Sequence, residues 1–279
     1  MSAPPPPPSD GGTPPPPPPP PGGGTPPPPP AGGSPAPAGG YSVSNAFNFG
    51  WTKFQQNIGP WLLACLIAIG VYVVVYAIFI LLLIPTMSTS TTNVETAGGT
   101  LEFTSTSGGI ASAIITMIMF VVLTLAGWII AAQFVRAALG VTDQGRIELG
   151  IFFQTKAIGV VVIAALILTG VQLILGIIGL IPILGWIVWF VGSIVVAFFA
   201  QFYMYFALQE QGSGLDAIKS SFAFVNSNLA SIVVLYLATL LTLIIGALLC
   251  GIGLFVAIPV VAAAHAYTFR TLRGEPVAA

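Results

Sequence analysis

The chain has little charge. Its 279 residues include 7 Lys and Arg and 8 Asp and Glu, 5% in all, where a soluble domain carries roughly 25%. So few charges cannot cover a water-exposed surface of this size. With 56% hydrophobic residues and a mean hydropathy of +0.97, the chain reads as a membrane protein. A net charge of -1 excludes nucleic-acid binding through a basic face. Histidine occurs once, at His265, and cysteine twice, at Cys65 and Cys250. With no Cys/His cluster there is no basis for a metal site or a disulfide framework, and no cofactor is expected. Met1 to Gly40 has neither the basic start nor the short apolar core of a secretory signal.

Proline and glycine are unevenly placed. Residues 1–40 hold most of the 25 prolines, in runs at Pro4 to Pro8, Pro14 to Pro21 and Pro26 to Pro30, and their one charged side chain is Asp10. Such a segment cannot bury enough apolar surface to offset its ordering entropy, so a disordered tail is expected. Each proline run favours polyproline II, and each glycine patch is a joint. The tail is a solvated spacer or a docking site for a protein partner with an aromatic groove that accepts proline-rich ligands.

Residues 41–275 form the membrane domain. Bilayer crossing takes about 20 apolar residues per helix, and six such runs follow one another: 61–84, 110–133, 158–181, 186–208, 229–249 and 251–269. The third and fourth form one apolar stretch, divided at Pro182 and Gly185; the fifth and sixth meet at Cys250-Gly251-Ile252-Gly253. The fold class is therefore all-α, six transmembrane helices in three hairpins. The basic residues Lys53, Arg136, Arg146, Lys156, Lys219, Arg270 and Arg273 then all fall on one side. Basic loops mark the cytoplasmic side, which predicts cytoplasmic termini in the plasma membrane. The long opposite loop, Met87 to Gly109, is Ser/Thr-rich. It reads as a polar loop, with a small hairpin around Asn93 to Phe103 as the less favoured alternative.

An amphipathic stretch precedes each hairpin. Phe47, Trp51, Phe54 and Ile58 share one helical face, as do Leu215, Ile218, Phe222, Val225 and Leu229; the middle stretch, around Ile147 to Phe153, is looser. Aligning Trp51 with Phe222 sets Phe54 on Val225 and Asn57 on Asn228. Each hairpin is thus expected to follow a short helix lying in the interface, apolar face down, against membrane lipids. All three copies have one orientation, unlike the inverted repeats of many transporters.

The residues Tyr41-Ser42-Val43-Ser44-Asn45-Ala46-Phe47-Asn48-Phe49-Gly50-Trp51-Thr52-Lys53-Phe54 resemble the opening of actinobacterial proline- and glycine-rich six-span transmembrane proteins. The ending, Gly251 to Pro259 and Ala266 to Gly274, resembles theirs too. The six-span pattern is also similar to the membrane domain linked to some glycerophosphodiester phosphodiesterases. Their catalytic barrel has no counterpart in these residues, so the resemblance implies the fold and no catalysis.

Intramembrane polar groups are the functional suspects. His265 lies about one turn inside the end of the sixth span, among Ala262, Ala263, Ala264 and Ala266. It either links helices by a hydrogen bond, the plainer role, or relays protons. Gln172 and Gln201, in the third and fourth spans, either line a polar path or bridge helices. No Asp or Glu lies inside a span. Asp143 and Glu148 sit beside Arg146 as solvated pairs, and Glu210 and Asp216 flank the fourth and fifth spans. His265 has no evident nucleophile or base partner, so enzyme activity is not expected. Two roles remain: a scaffold that binds partners through the proline tail, or a handler of lipid or small solutes with a site near Gln172, Gln201 or His265. Oligomeric state is not encoded in any motif.

Overall fold

The computed structural model describes residues 1–3, 33–34, 41–96, 98–209 and 212–278. Most of the tail expected to be disordered, and Glu210, fall outside the described residues; within the tail, Gly33–Ser34 pairs antiparallel with Val277–Ala278. Six helices are long and apolar enough to cross a membrane. Helix α1 is Val43–Gln56, and α2 (Ile58–Leu83) is the first span, paired with α3 (Ile110–Gln144). The second hairpin is α4 (Ile158–Ile178) and α5 (Leu184–Ala200), continued by α6 (Tyr203–Gln209). Helix α7 (Gly214–Ser227) leads into the third hairpin, α8 (Leu229–Leu248) and α9 (Leu254–Leu272).

Three boundaries move from those expected. Helix α3 runs past residue 133 to Gln144 and stops where Gly145 turns left-handed at φ 73°. The fourth span is broken after Ala200 rather than continuous to 208. The middle amphipathic stretch is a 3-10 turn, Leu149–Phe153, not an α-helix. The extension of α3 and its glycine stop leave it too little chain for one. The loop between α2 and α3 is a β-hairpin, strands Met87–Thr96 and Gly99–Gly108, far longer than the small hairpin considered above.

The repeat holds in detail. Helices α1 and α7 have 14 residues each. Each starts on a serine N-cap: Ser42 Oγ accepts from Asn45 N at 3.1 Å, and Ser213 Oγ accepts from Asp216 N at 3.2 Å. In return Ser213 Oγ and Ser213 N donate to Asp216 Oδ2 at 2.6 and 3.0 Å, and these bonds hold the carboxyl below the usual carboxylate range. Each helix ends on an asparagine of one conformation, Asn57 at φ -127°, ψ 30° and Asn228 at φ -125°, ψ 30°. Each amide donates one turn back, to Lys53 O at 2.9 Å and to Phe224 O at 3.0 Å. The asparagine satisfies the last carbonyls of one helix while its own carbonyl starts the next, so one residue makes the bend.

The buried faces correspond as well: Ala46, Gly50, Lys53 and Phe54 in α1, against Ala217, Ser221, Phe224 and Val225 in α7. Of the apolar stripes expected to face lipid, Trp51, 48% exposed, and the exposed Phe222 and Leu229 lie outside the buried face, whereas Phe54, Ile218 and Val225 are buried in it. In a bilayer a large apolar side chain loses nothing by facing lipid, and small residues gain by letting backbones close in.

Each of these elements docks on the hairpin before its own. The Leu149–Phe153 turn packs on α3 of the first hairpin, α7 packs on α4, α5 and α6 of the second, and α1 packs on α9 of the third. Three units thus close into a ring. Glycines set the approach: a Cβ at Gly50 would stand 2.4 Å from Val260 O, and one at Gly214 2.6 Å from Ala164 N. Gly50→Ala should therefore cost about 1–3 kcal/mol of stability and lower the thermal midpoint in detergent. Gly59→Ala, with open space at its Cβ, should leave it unchanged.

Candidate functional site

The break in the fourth span brings polar groups of α7 and α9 together inside the bundle. Ser221 on α7, fully buried, accepts a hydrogen bond from Phe202 N at 3.2 Å and donates to Phe199 O at 2.7 Å. A hydroxyl inserted into the helical ladder replaces an internal partner and bends the chain there. The turn points Gln201 inward. Its Nε2 donates to Phe198 O at 2.8 Å, and its Oε1 lies 3.3 Å from His265 Nε2 on α9. His265 Nδ1 lies 3.0 Å from Val261 O. One turn on, Tyr205 donates to Ala262 O at 3.1 Å.

Both imidazole nitrogens therefore face oxygens. A neutral imidazole donates through one nitrogen only. With the proton on Nε2 the ring donates to Gln201 Oε1 and links the helices; with it on Nδ1 the ring donates to Val261 O within α9. Aromatic rings seal the group: Phe202 lies 5.6 Å from His265, and Phe206, Phe224 and Phe269 cluster behind it. Through the Nε2–H tautomer the arrangement links α9 to the break between α5 and α6.

Gln172 does not join this group. It accepts from Ser193 Oγ at 2.9 Å and ties α4 to α5 within the second hairpin. Of the three suspects, two meet and one stands apart. Gln172 joins the two halves of one hairpin, and Gln201 reaches across to His265 on α9. Gln133, which the sequence reading passed over, occupies a similar place: it follows an alanine, as Gln201 and His265 do, and donates to Gln154 O at 3.0 Å. The shared Ala-Gln-Phe at 132–134 and 200–202 was the available signal.

The charged groups also pair differently from expectation. Asp143 bonds Arg270 at 2.7 Å instead of Arg146, which meets Glu148 at 3.7 Å on the surface. Arg270 also holds Glu275, which bonds Arg273 at 2.7 Å, and the Arg273 guanidinium lies 4.9 Å from the Phe269 ring. These contacts tie the ends of α3 and α9 together. Sequence distance hides them, because Asp143 and Arg270 belong to different hairpins. Among the described residues, no group of His, Cys, Asp or Glu is placed to hold a metal ion. Cys65 is buried in α2 and Cys250 lies exposed in the turn after α8; both are free thiols.

Fold and site define a multi-pass, all-α membrane protein whose interior polar groups join helices. No family model and no solved structure matches the chain. It is 32% identical over 242 residues to the uncharacterized protein Rv2560 of Mycobacterium tuberculosis, a match covering 85% of this chain and 70% of that protein. The same identity and coverage hold for the uncharacterized proteins Mb2590 of Mycobacterium bovis and MT2637 of M. tuberculosis. The chain belongs to the family of these mycobacterial proteins, whose names assign no activity.

If His265 is a link, an amide should replace it. His265→Gln should keep the purified yield and thermal midpoint of the parent. His265→Ala, which removes the bond and opens a void, should lower stability by about 2 kcal/mol, read by thermal unfolding in detergent. Equal loss in both variants would contradict the role.

Proposed function

We propose that this is a non-enzymatic scaffold of the plasma membrane that recruits protein partners through a cytoplasmic proline-rich tail. What supports the reading is the division of labour along the chain. The polar side chains singled out inside the bundle, His265, Gln201 and Gln172, are used in packing. The proline runs of residues 1–40 are ready-made ligands for aromatic grooves. The orientation rests on the basic residues, all seven of which fall at one end of the six-span order. The bundle is then an anchor and the tail a handle. The likeness to actinobacterial proline- and glycine-rich membrane proteins supports the same division.

A second reading, a lipid-handling domain, draws on one observation. An apolar groove of about 490 Å³ lies between α2, α3 and α9, lined by Cys65, Tyr72, Gly127, Leu254, Phe255 and Ile258. At bilayer depth such a groove takes an acyl chain.

Deleting residues 1–40 separates the two. The scaffold reading expects cross-linked protein partners to be lost from native membranes while insertion and the stability of the bundle are unchanged. Partner recovery that survives the deletion, or lipid retained in the purified bundle as its one companion, would favour the groove instead.

A further inference from the structure

The β-hairpin between α2 and α3 is a surface without a use in the bundle. Its strands pair ten residues against ten, one to one from Met87↔Gly108 to Thr96↔Gly99, and every position of both strands is exposed. Two strands alone are marginally stable in water, and a third strand or a packed face is needed for independent stability. Both outer edges carry unpaired backbone groups. Proteins that leave such edges free protect them with lysine, proline, a bulge or shortness. Residues 87–108 contain no lysine and no proline, and the unbroken register leaves no bulge. The edges are built to pair.

We propose that the occupant is a second copy of this chain, with the Met87–Thr96 edge of one copy pairing antiparallel to the Gly99–Gly108 edge of the next. Charge chooses this geometry. The hairpin has two ionisable side chains, Glu95 and Glu102, and no basic one. In the register the hairpin already uses, Glu95 stands opposite Thr100 and Glu102 opposite Asn93. Repeating that register between copies again sets no carboxylate against another. Pairing Met87–Thr96 with its own copy in parallel would place Glu95 beside Glu95, and like charges side by side are destabilising.

Side-chain chemistry agrees. One face of the hairpin carries Val94, Leu101 and Phe103, which are 43%, 52% and 57% exposed. Their pairings, Val94↔Leu101 and Thr92↔Phe103, put them together at the tip. Repeated from copy to copy they become a continuous apolar stripe, which an isolated hairpin leaves in water. Behind it, Ser90 and Ser105 hydroxyls bond at 3.0 Å, a pairing that each added strand reproduces. Insertion in one membrane orients all copies alike and concentrates them, so the two edges of neighbours are presented to each other. The contact is heterologous, head to tail, and builds a ring or a row from more than two copies as readily as from two.

The test uses the full chain in the membranes of the expressing cells. Thr91→Cys and Thr104→Cys are made separately, on differently tagged chains, and co-expressed; an added oxidant then drives disulfide formation. Thr91 and Thr104 are partners in the hairpin register, and with the free thiols Cys65 and Cys250 replaced by serine in both chains neither single variant can bridge within itself. The expected product is a mixed-tag disulfide, in several-fold excess over same-tag pairs. Subunit counting by single-molecule bleaching supplies a second readout. The unmodified chain should show two or more copies, and replacement of residues 87–108 by a glycine-serine linker should reduce the count to one. Same-tag Thr91→Cys pairs in excess, one copy for the unmodified chain, or an unchanged count with the linker would each overturn the proposal.

Discussion

The structure depends on how closely the backbones of α1 and α9 approach. Gly50 leaves no room for even a Cβ against Val260 O, and around it Ala46, Ala264 and Tyr267 form a small buried cluster. Tyr41 adds a bond to Thr268 at 3.0 Å, and its burial raises the phenol above its ordinary range. Between helices in a bilayer there is no hydrophobic drive to associate, because lipid is as apolar as leucine. Attraction comes from dispersion at short range and from hydrogen bonds, and both need small residues. Without this contact the first unit would hold the third only through the packing of α2 and α3 on α9 and the Asp143–Arg270 pair.

The other two junctions use the same device. Gly214 lets α7 onto α4, and Gly140 lets the Ile151 side chain of the short turn onto α3. The middle junction is the weakest element, five residues in a 3-10 turn where its counterparts have 14-residue helices. Length has been moved into α3, whose 35 residues span about 52 Å. That extension carries Asp143 to Arg270, so an ion pair between the helix ends supports the junction the turn leaves thin.

Much of this was legible in the sequence. Long apolar runs divided by Pro182, Gly185 and the Cys250–Gly253 turn give the spans, because hydrocarbon forces every backbone group into a helix. The match of Asn57 with Asn228 came through unchanged. The apolar stripes of Trp51 and Phe222 point to the side turned to lipid; the small residues that decide the packing, Gly50 and Ser221, leave no such mark. The break at Gln201 was hidden for a related reason: its cause is Ser221, on another element, and nothing within 186–208 marks it. His265 and Gln201 could be named as polar groups in apolar surroundings. That they meet each other, and that Gln172 meets Ser193 instead, depends on which helices adjoin, and spacing along the chain does not contain that.

The ring closed by α1 and α9 is the central claim. A paired Ala46→Cys and Ala264→Cys chain, with the free thiols Cys65 and Cys250 replaced by serine and oxidised in membranes without detergent, tests it most directly. The account predicts a rapid disulfide within one chain, together with protection of each single cysteine from a water-soluble maleimide. Ready labelling of Ala46→Cys and no disulfide would show α1 lying free on the membrane surface, and would contradict it.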